Sequence, residues 1–217
     1  MMRLLLCLLM LSTPAQAGPW LRDKGSGFIS WHVTGEDPEQ SGAARVYTGI
    51  FAEYGMRDDL TLGLDLGGDE NGYHKAMAFA VMPVRVIGRP QTRLSMEFSM
   101  GVIDSEPIYR HGVSVGQSLQ LLGRSGWFSI DGKAGFSIED ASMDLSTDFT
   151  IGINSGARTK LILQLQQGGE MRNPDYLRVV QSIVFERKPG RHLELGVTAG
   201  LINAPRYGLK LGLWRSF

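Results

Sequence analysis

At 217 residues the chain suits one domain, and its 22 Lys and Arg balance its 22 Asp and Glu. That balance excludes both a basic surface for nucleic acid and an acidic tail. Its single cysteine, Cys7, excludes a disulfide framework, and its 28 glycines exceed the usual share and need a structural reason.

In chain order, Arg3 precedes the short apolar run Leu4 to Leu11, Pro14 closes it, and Ala15-Gln16-Ala17 follows with a small-x-small pattern. This predicts a secretory signal peptide over 1–17, cut between Ala17 and Gly18, with 18–217 as a single mature domain. Cys7 lies inside the apolar run, where a lipid-modification site does not fall. Beyond residue 17 no apolar stretch approaches eighteen residues, so no membrane helix is encoded. Either a soluble β protein or a barrel with a lipid-facing exterior fits what remains.

From about Gly25 the hydrophobic period is two, punctuated by turn residues. The pattern predicts strands over 26–34, 44–56, 60–67, 75–85, 93–103 and 113–121. It continues with 127–138, 143–153, 159–167, 176–186, 191–201 and 206–217. That makes about twelve strands, with ten as the alternative count, each near the length a tilted strand needs to cross a bilayer. Short connections such as Arg57-Asp58-Asp59 and Arg187-Lys188-Pro189-Gly190 alternate with generally longer ones at 34–43, 67–74, 104–112 and 168–175. Short turns at one end, long loops at the other and an even strand count are the pattern of an outer-membrane barrel.

Sidedness separates the two classes. In the seven strands of clearest register, one face carries residues such as Leu60, Leu62, Leu64, Leu66, Met96, Phe98, Leu209 and Leu211, and none of its 35 positions is charged. The interleaved 35 positions hold eleven charges: Arg45, Glu53, Asp65, Arg93, Glu97, Asp131, Lys133, Asp144, Asp148, Glu194 and Lys210. Arg85, Lys160, Arg178 and Glu186 extend that charged face in the other strands. Eleven glycines share it, whereas only Gly132 stands on the apolar face. Glycine weakens a solvent-washed strand without return. Inside a narrow barrel it makes room for long side chains opposite, so the charged face is expected to line a lumen and the apolar face to meet lipid. Trp31, Tyr54, Tyr73, Trp127, Tyr176, Tyr207 and Trp214 fall near strand ends, where interfacial girdles belong.

The last strand ends Leu211-Gly212-Leu213-Trp214-Arg215-Ser216-Phe217. An amphipathic final strand with a terminal phenylalanine resembles the signature by which proteobacterial outer-membrane barrels are recognised by their assembly machinery. The segment Tyr54-Gly55-Met56-Arg57-Asp58-Asp59-Leu60-Thr61-Leu62-Gly63 resembles the hairpin of outer-membrane transporters of the phenol-degradation type. These resemblances imply an all-β, transmembrane, antiparallel up-and-down barrel in the bacterial outer membrane. The implied partners are membrane lipid, lipopolysaccharide and the assembly machinery, with Phe217 as assembly signal and a channel-like role.

Other chemistry is weaker. His111 is followed by Ser114, the pair a lipid hydrolase would need, but both are placed at a loop-to-strand junction with no acid beside them. Gly68-Asp69-Glu70-Asn71-Gly72 offers oxygen ligands without the spacing of a known calcium loop. No cofactor, catalytic set or metal-ligand set is therefore expected, and the oligomeric state is left open. The near-balance of lumen charge suits ion pairing more than a strongly selective ion channel. The expectation is a passive channel or transporter-like pore for small solutes. The alternative is a closed structural or surface-interaction barrel, and segment 18–24, with Trp20, fits either a plug or the rim.

Overall fold

The computed structural model describes residues 18–37, 45–84, 92–121, 123–140, 142–169 and 175–217. Twelve antiparallel strands form one closed barrel. They are β1 (Gly27–Glu36), β2 (Arg45–Arg57), β3 (Leu60–Asp69), β4 (His74–Val84), β5 (Thr92–Ile103) and β6 (Glu106–Leu121). β7 (Arg124–Ser137), β8 (Met143–Gly156), β9 (Thr159–Gly168), β10 (Tyr176–Lys188), β11 (Arg191–Ile202) and β12 (Tyr207–Ser216) complete it. Each strand pairs with its chain neighbours, and β1 closes on β12 through nine register partners from Phe28↔Ser216 to Glu36↔Gly208. Closure leaves no unpaired edge. We call the end carrying both chain termini the terminal end and the opposite one the far end.

The seam ends on the last residue. Gly27 N–H donates to the Phe217 carbonyl at 2.7 Å, Phe217 N–H donates back to Gly27 at 3.0 Å, and the Phe217 ring lies over Gly27 where any side chain would collide. The predicted leader 1–17 and Arg85 lie outside the described residues.

The burial pattern inverts that of a soluble protein. Met100 and Leu209 are 67% and 71% exposed, while Glu194, Glu53 and Asp144 are only 2%, 6% and 7% exposed. Large apolar residues usually sit inside and carboxylates outside. Here the charge-free face is the barrel's outer surface and the charged face is its interior.

One strand differs from expectation. β6 begins at Glu106, not 113, so the loop expected over 104–112 is the two-residue turn Asp104-Ser105, both at positive φ. Pro107 obscured this start, yet proline is tolerated as the second residue of a strand whose end lies at a rim. His111 therefore lies within a strand, in an aromatic group on the outer face. Its ring centroid is 5.3 Å from Phe98 and 5.6 Å from Tyr109, and Tyr109 stacks on Phe136 at 5.1 Å. Ser114, an odd number of residues away, is buried on the inner face. Period-two alternation puts the two on opposite sides of the wall, so they form no dyad.

Candidate functional site

The interior is built in two zones. Toward the far end and the middle it is a lattice of ion pairs. Arg45, the first residue of β2, holds Asp69, the last of β3, at 2.7 Å. Lys75 holds Asp65 at 2.7 Å, and Lys210 holds Glu194 at 2.9 Å. Three pairs skip strands: Lys133 of β7 reaches Glu97 of β5 at 2.8 Å, Arg110 of β6 reaches Asp144 of β8 at 2.9 Å, and Arg178 of β10 reaches Glu36 of β1 at 3.3 Å. Side chains can bypass an intervening strand only on the concave face, so these groups project inward. Glu194 gathers three partners: it also accepts Ser182 Oγ at 2.7 Å and Trp214 Nε1 at 3.1 Å.

The remaining charges that sequence placed on this face are distributed less evenly. Glu53 pairs near the terminal end with Arg22, which precedes the barrel. Arg93 is exposed as the second residue of β5. Asp131 and Asp148 stand directly opposite each other in the β7–β8 register.

Toward the terminal end the interior is aromatic and apolar. Trp127, Ile162 and Val184 are buried there with Trp20, and Trp214 packs against them. A second run of rings follows the wall from Trp214 to Phe28 (6.0 Å), Phe28 to Phe51 (6.5 Å) and Phe51 to Phe79 (5.3 Å, stacked). Trp127 and Trp214 are thus interior residues, not members of a surface girdle. Tyr73 also turns away from a girdle, but at the far end, where it packs on Met77, Ile103 and Ile108 beside the Asp104-Ser105 turn, so a smaller apolar cluster lies there among the ion pairs. Trp31, Tyr54 and Tyr207 stay exposed on the outer face.

The inner glycines are sockets for these rings. A side chain added at Gly63 would strike the ring of Phe79, at Gly152 that of Trp127, at Gly49 that of His32, and at Gly67 that of Tyr47. Charged side chains fill only some sockets, Asp144 over Gly135 and Glu194 over Gly212. The room expected for long charges is therefore mostly room for flat rings.

Across the terminal end runs the segment from Gly18 to Gly25. Gly18 sits against Asp131 of β7, and Pro19 and Trp20 lie on Gly116 of β6, both buried. Arg22 N–H donates to Thr61 Oγ1 of β3 at 2.8 Å, and its guanidinium bonds Glu53 of β2 at 2.6 Å with Cζ 4.6 Å from the Phe28 ring centre. Gly25 N–H donates to the Gly55 carbonyl at 2.8 Å, and Gly55 N–H donates to that of Ser26 at 2.9 Å. The contacts run from β7 and β6 to β3, β2 and β1, which is one side of a twelve-strand ring to the other. Twelve tilted strands close a wall about 24 Å across, and eight extended residues reach about 26 Å. The segment is a strap across the mouth, as the plug alternative for 18–24 describes. Sequence offered no way to choose, because its anchors come from five strands, four of them far from it in the chain.

Among the described residues no group of three or more His, Cys, Asp or Glu could hold a metal. In the turn once considered for calcium, Asp69 Oδ1 accepts the Asn71 and Tyr73 N–H groups at 2.9 and 3.1 Å, and Glu70 accepts Val46 N–H through both oxygens. These carboxylates are engaged in holding the turn to β2.

No protein-family pattern matches the sequence, and no curated protein matches it. Solved structures do. The KdgM porin is similar over 88% of this chain and 99% of its own, with a TM-score of 0.63 at 9% identity. An outer membrane channel from Pseudomonas putida F1 covers 94% of this chain and 99% of its own, TM-score 0.62 at 10% identity. The NanC porin covers 86% and 98%, TM-score 0.63 at 8% identity. At such identities the likeness is one of fold: the chain has the closed twelve-strand barrel of outer-membrane porins and channels.

Proposed function

We propose that this protein is a bacterial outer-membrane pore for small polar solutes, with the terminal end in the periplasm and its mouth narrowed by the strap. The carrying observation is the inverted barrel: an apolar outer belt suited to lipid around an interior lined by paired charges, including Asp65, Glu97, Lys133, Asp144 and Lys210. Pairing neutralises the wall, so the passage discriminates by size more than by sign of charge. The porin-like fold of channels with other sequences supports the same reading. His111 and Ser114 face opposite ways and cannot act as a nucleophile and its base.

A second reading, a closed structural barrel, is favoured by one observation: the strap and the Trp20 cluster occupy the terminal mouth. Planar-bilayer recording of folded protein, with and without residues 18–24, separates the two. The pore reading expects discrete conductance that rises when the strap is removed. Silence from both forms, each verified as folded by heat-modifiable gel migration, selects the closed barrel.

A further inference from the structure

The anchor of the strap at β7 is incomplete as a chain of amide groups. Asp131 points one oxygen, Oδ2, at Ser129 Oγ (3.1 Å). Its other oxygen, Oδ1, is sealed from solvent and meets no cation, although a second hydroxyl, that of Ser114 opposite it in the β6–β7 register, also engages the carboxylate. Directly across the register stands Asp148, a second carboxylate, and like charges opposite each other on neighbouring strands are destabilising. Lys133, the next inward residue on β7, commits its ammonium to both oxygens of Glu97, at 2.8 and 2.9 Å. No cation of the wall is paired with Asp131 among the described residues, and the backbone that lies against it is that of Gly18. A Cβ built on Gly18 would lie 2.6 Å from Asp131 Oδ1 and 3.2 Å from Oδ2, and the residue has φ +88°, so only glycine is accommodated. Its nitrogen shares a Cα with that Cβ and hence lies within about 5 Å of Oδ1.

We infer that the α-ammonium of Gly18, released when the leader is removed, is the cation that pairs with Asp131 and fastens the strap inside the barrel. The inference rests on the reading of 1–17 as a cleaved signal peptide. Hydrolysis of the Ala17–Gly18 bond consumes one water, leaves a carboxylate on Ala17 and an amine on Gly18, and that amine takes up a proton at neutral pH. Before cleavage the nitrogen is an uncharged amide and Asp131 Oδ1 lacks a counter-ion. Processing thereby strengthens the strap: its contact with Asp131 gains a charge once the leader has gone, beside the Trp20 and Arg22 contacts that do not depend on cleavage. Asp131 is a positioning residue that acts through the strap, and Glu53, holding Arg22, is the second anchor.

The test uses natively exported protein in detergent. N-terminal sequencing first reads the mature start. Folded protein is then labelled with a limiting amine-reactive ester, and the α-amine of Gly18 is compared with exposed Lys24 by peptide mass spectrometry. Only unprotonated amine reacts, so Asp131→Asn is expected to raise α-amine labelling about tenfold with Lys24 unchanged. Should Asp131→Asn fail to fold, Asp131→Ser serves instead. A mature start at Gly18 with equal α-amine labelling in wild type and variant overturns the pairing. A start elsewhere overturns the processing reading itself, and the pairing with it.

Discussion

The two ends of the interior close their space by different physics. At the far end, Arg45–Asp69, Arg110–Asp144 and Arg178–Glu36 bring opposite charges across or between strands, and the cations stay partly exposed to water. At the terminal end, Trp20, Trp127, Ile162 and Val184 are buried against each other, and the Arg22–Glu53 ion pair beside them is nearly sealed. Hydrated ion pairs are individually weak and salt-sensitive. Desolvated rings and a sealed pair hold position without regard to salt.

Substitutions sharpen this contrast. The largest expected effect is at Glu194, which joins the zones by holding Lys210, Ser182 and Trp214 together. Glu194→Ala leaves a buried ammonium unpaired and is expected to cost about 3–5 kcal/mol, read as a lowered unfolding midpoint in a detergent or bilayer urea titration. Trp20→Ala empties the terminal cluster and removes a comparable amount, about 3–5 kcal/mol, from docking of the strap. Limited proteolysis between Gly18 and Gly25 is expected to become fast in that variant while the barrel stays intact. Gly63→Val drives the Phe79 ring from its socket, an overpacking cost of about 1–3 kcal/mol seen in the same urea titration. A smaller effect is expected at the far end, where Arg178→Gln breaks a pair 3.3 Å long but leaves an amide beside the buried Glu36, for about 1–3 kcal/mol. If the far-end change proved more damaging than Trp20→Ala, the division of labour drawn above would be wrong.

The barrel itself was legible in the sequence because period two, charge segregation and inner glycines all report one geometric fact, which side of a strand faces which way. Strand number and most turns followed from it. The start of β6 did not, since Pro107 and His111 carry loop chemistry while sitting in a ladder from Ile103↔Glu106 to Thr92↔Gln117. The site was less legible. The charged set was found by alternation, but which residues pair depends on curvature that brings β5 to β7 and β10 to β1. Trp127 and Trp214 near strand ends look alike whether they face lipid or lumen. Their own registers, one step from Phe128 and Leu213, held the answer. The strap's course was invisible because all its partners but Phe28 and the turn at Ser26 are distant in sequence.

A reversible lock on the strap tests the central claim most directly. Pro19 lies on Gly116, and the only natural cysteine, Cys7, is in the leader, so Pro19→Cys with Gly116→Cys introduces a single pair able to form a disulfide. In a Trp20→Ala background, where the strap's main packing contact is gone, single-channel recording of the oxidised double variant is expected to show low conductance that rises on adding reductant to the terminal side. Equal conductance in the disulfide-bonded and reduced states would contradict a strap that narrows the mouth.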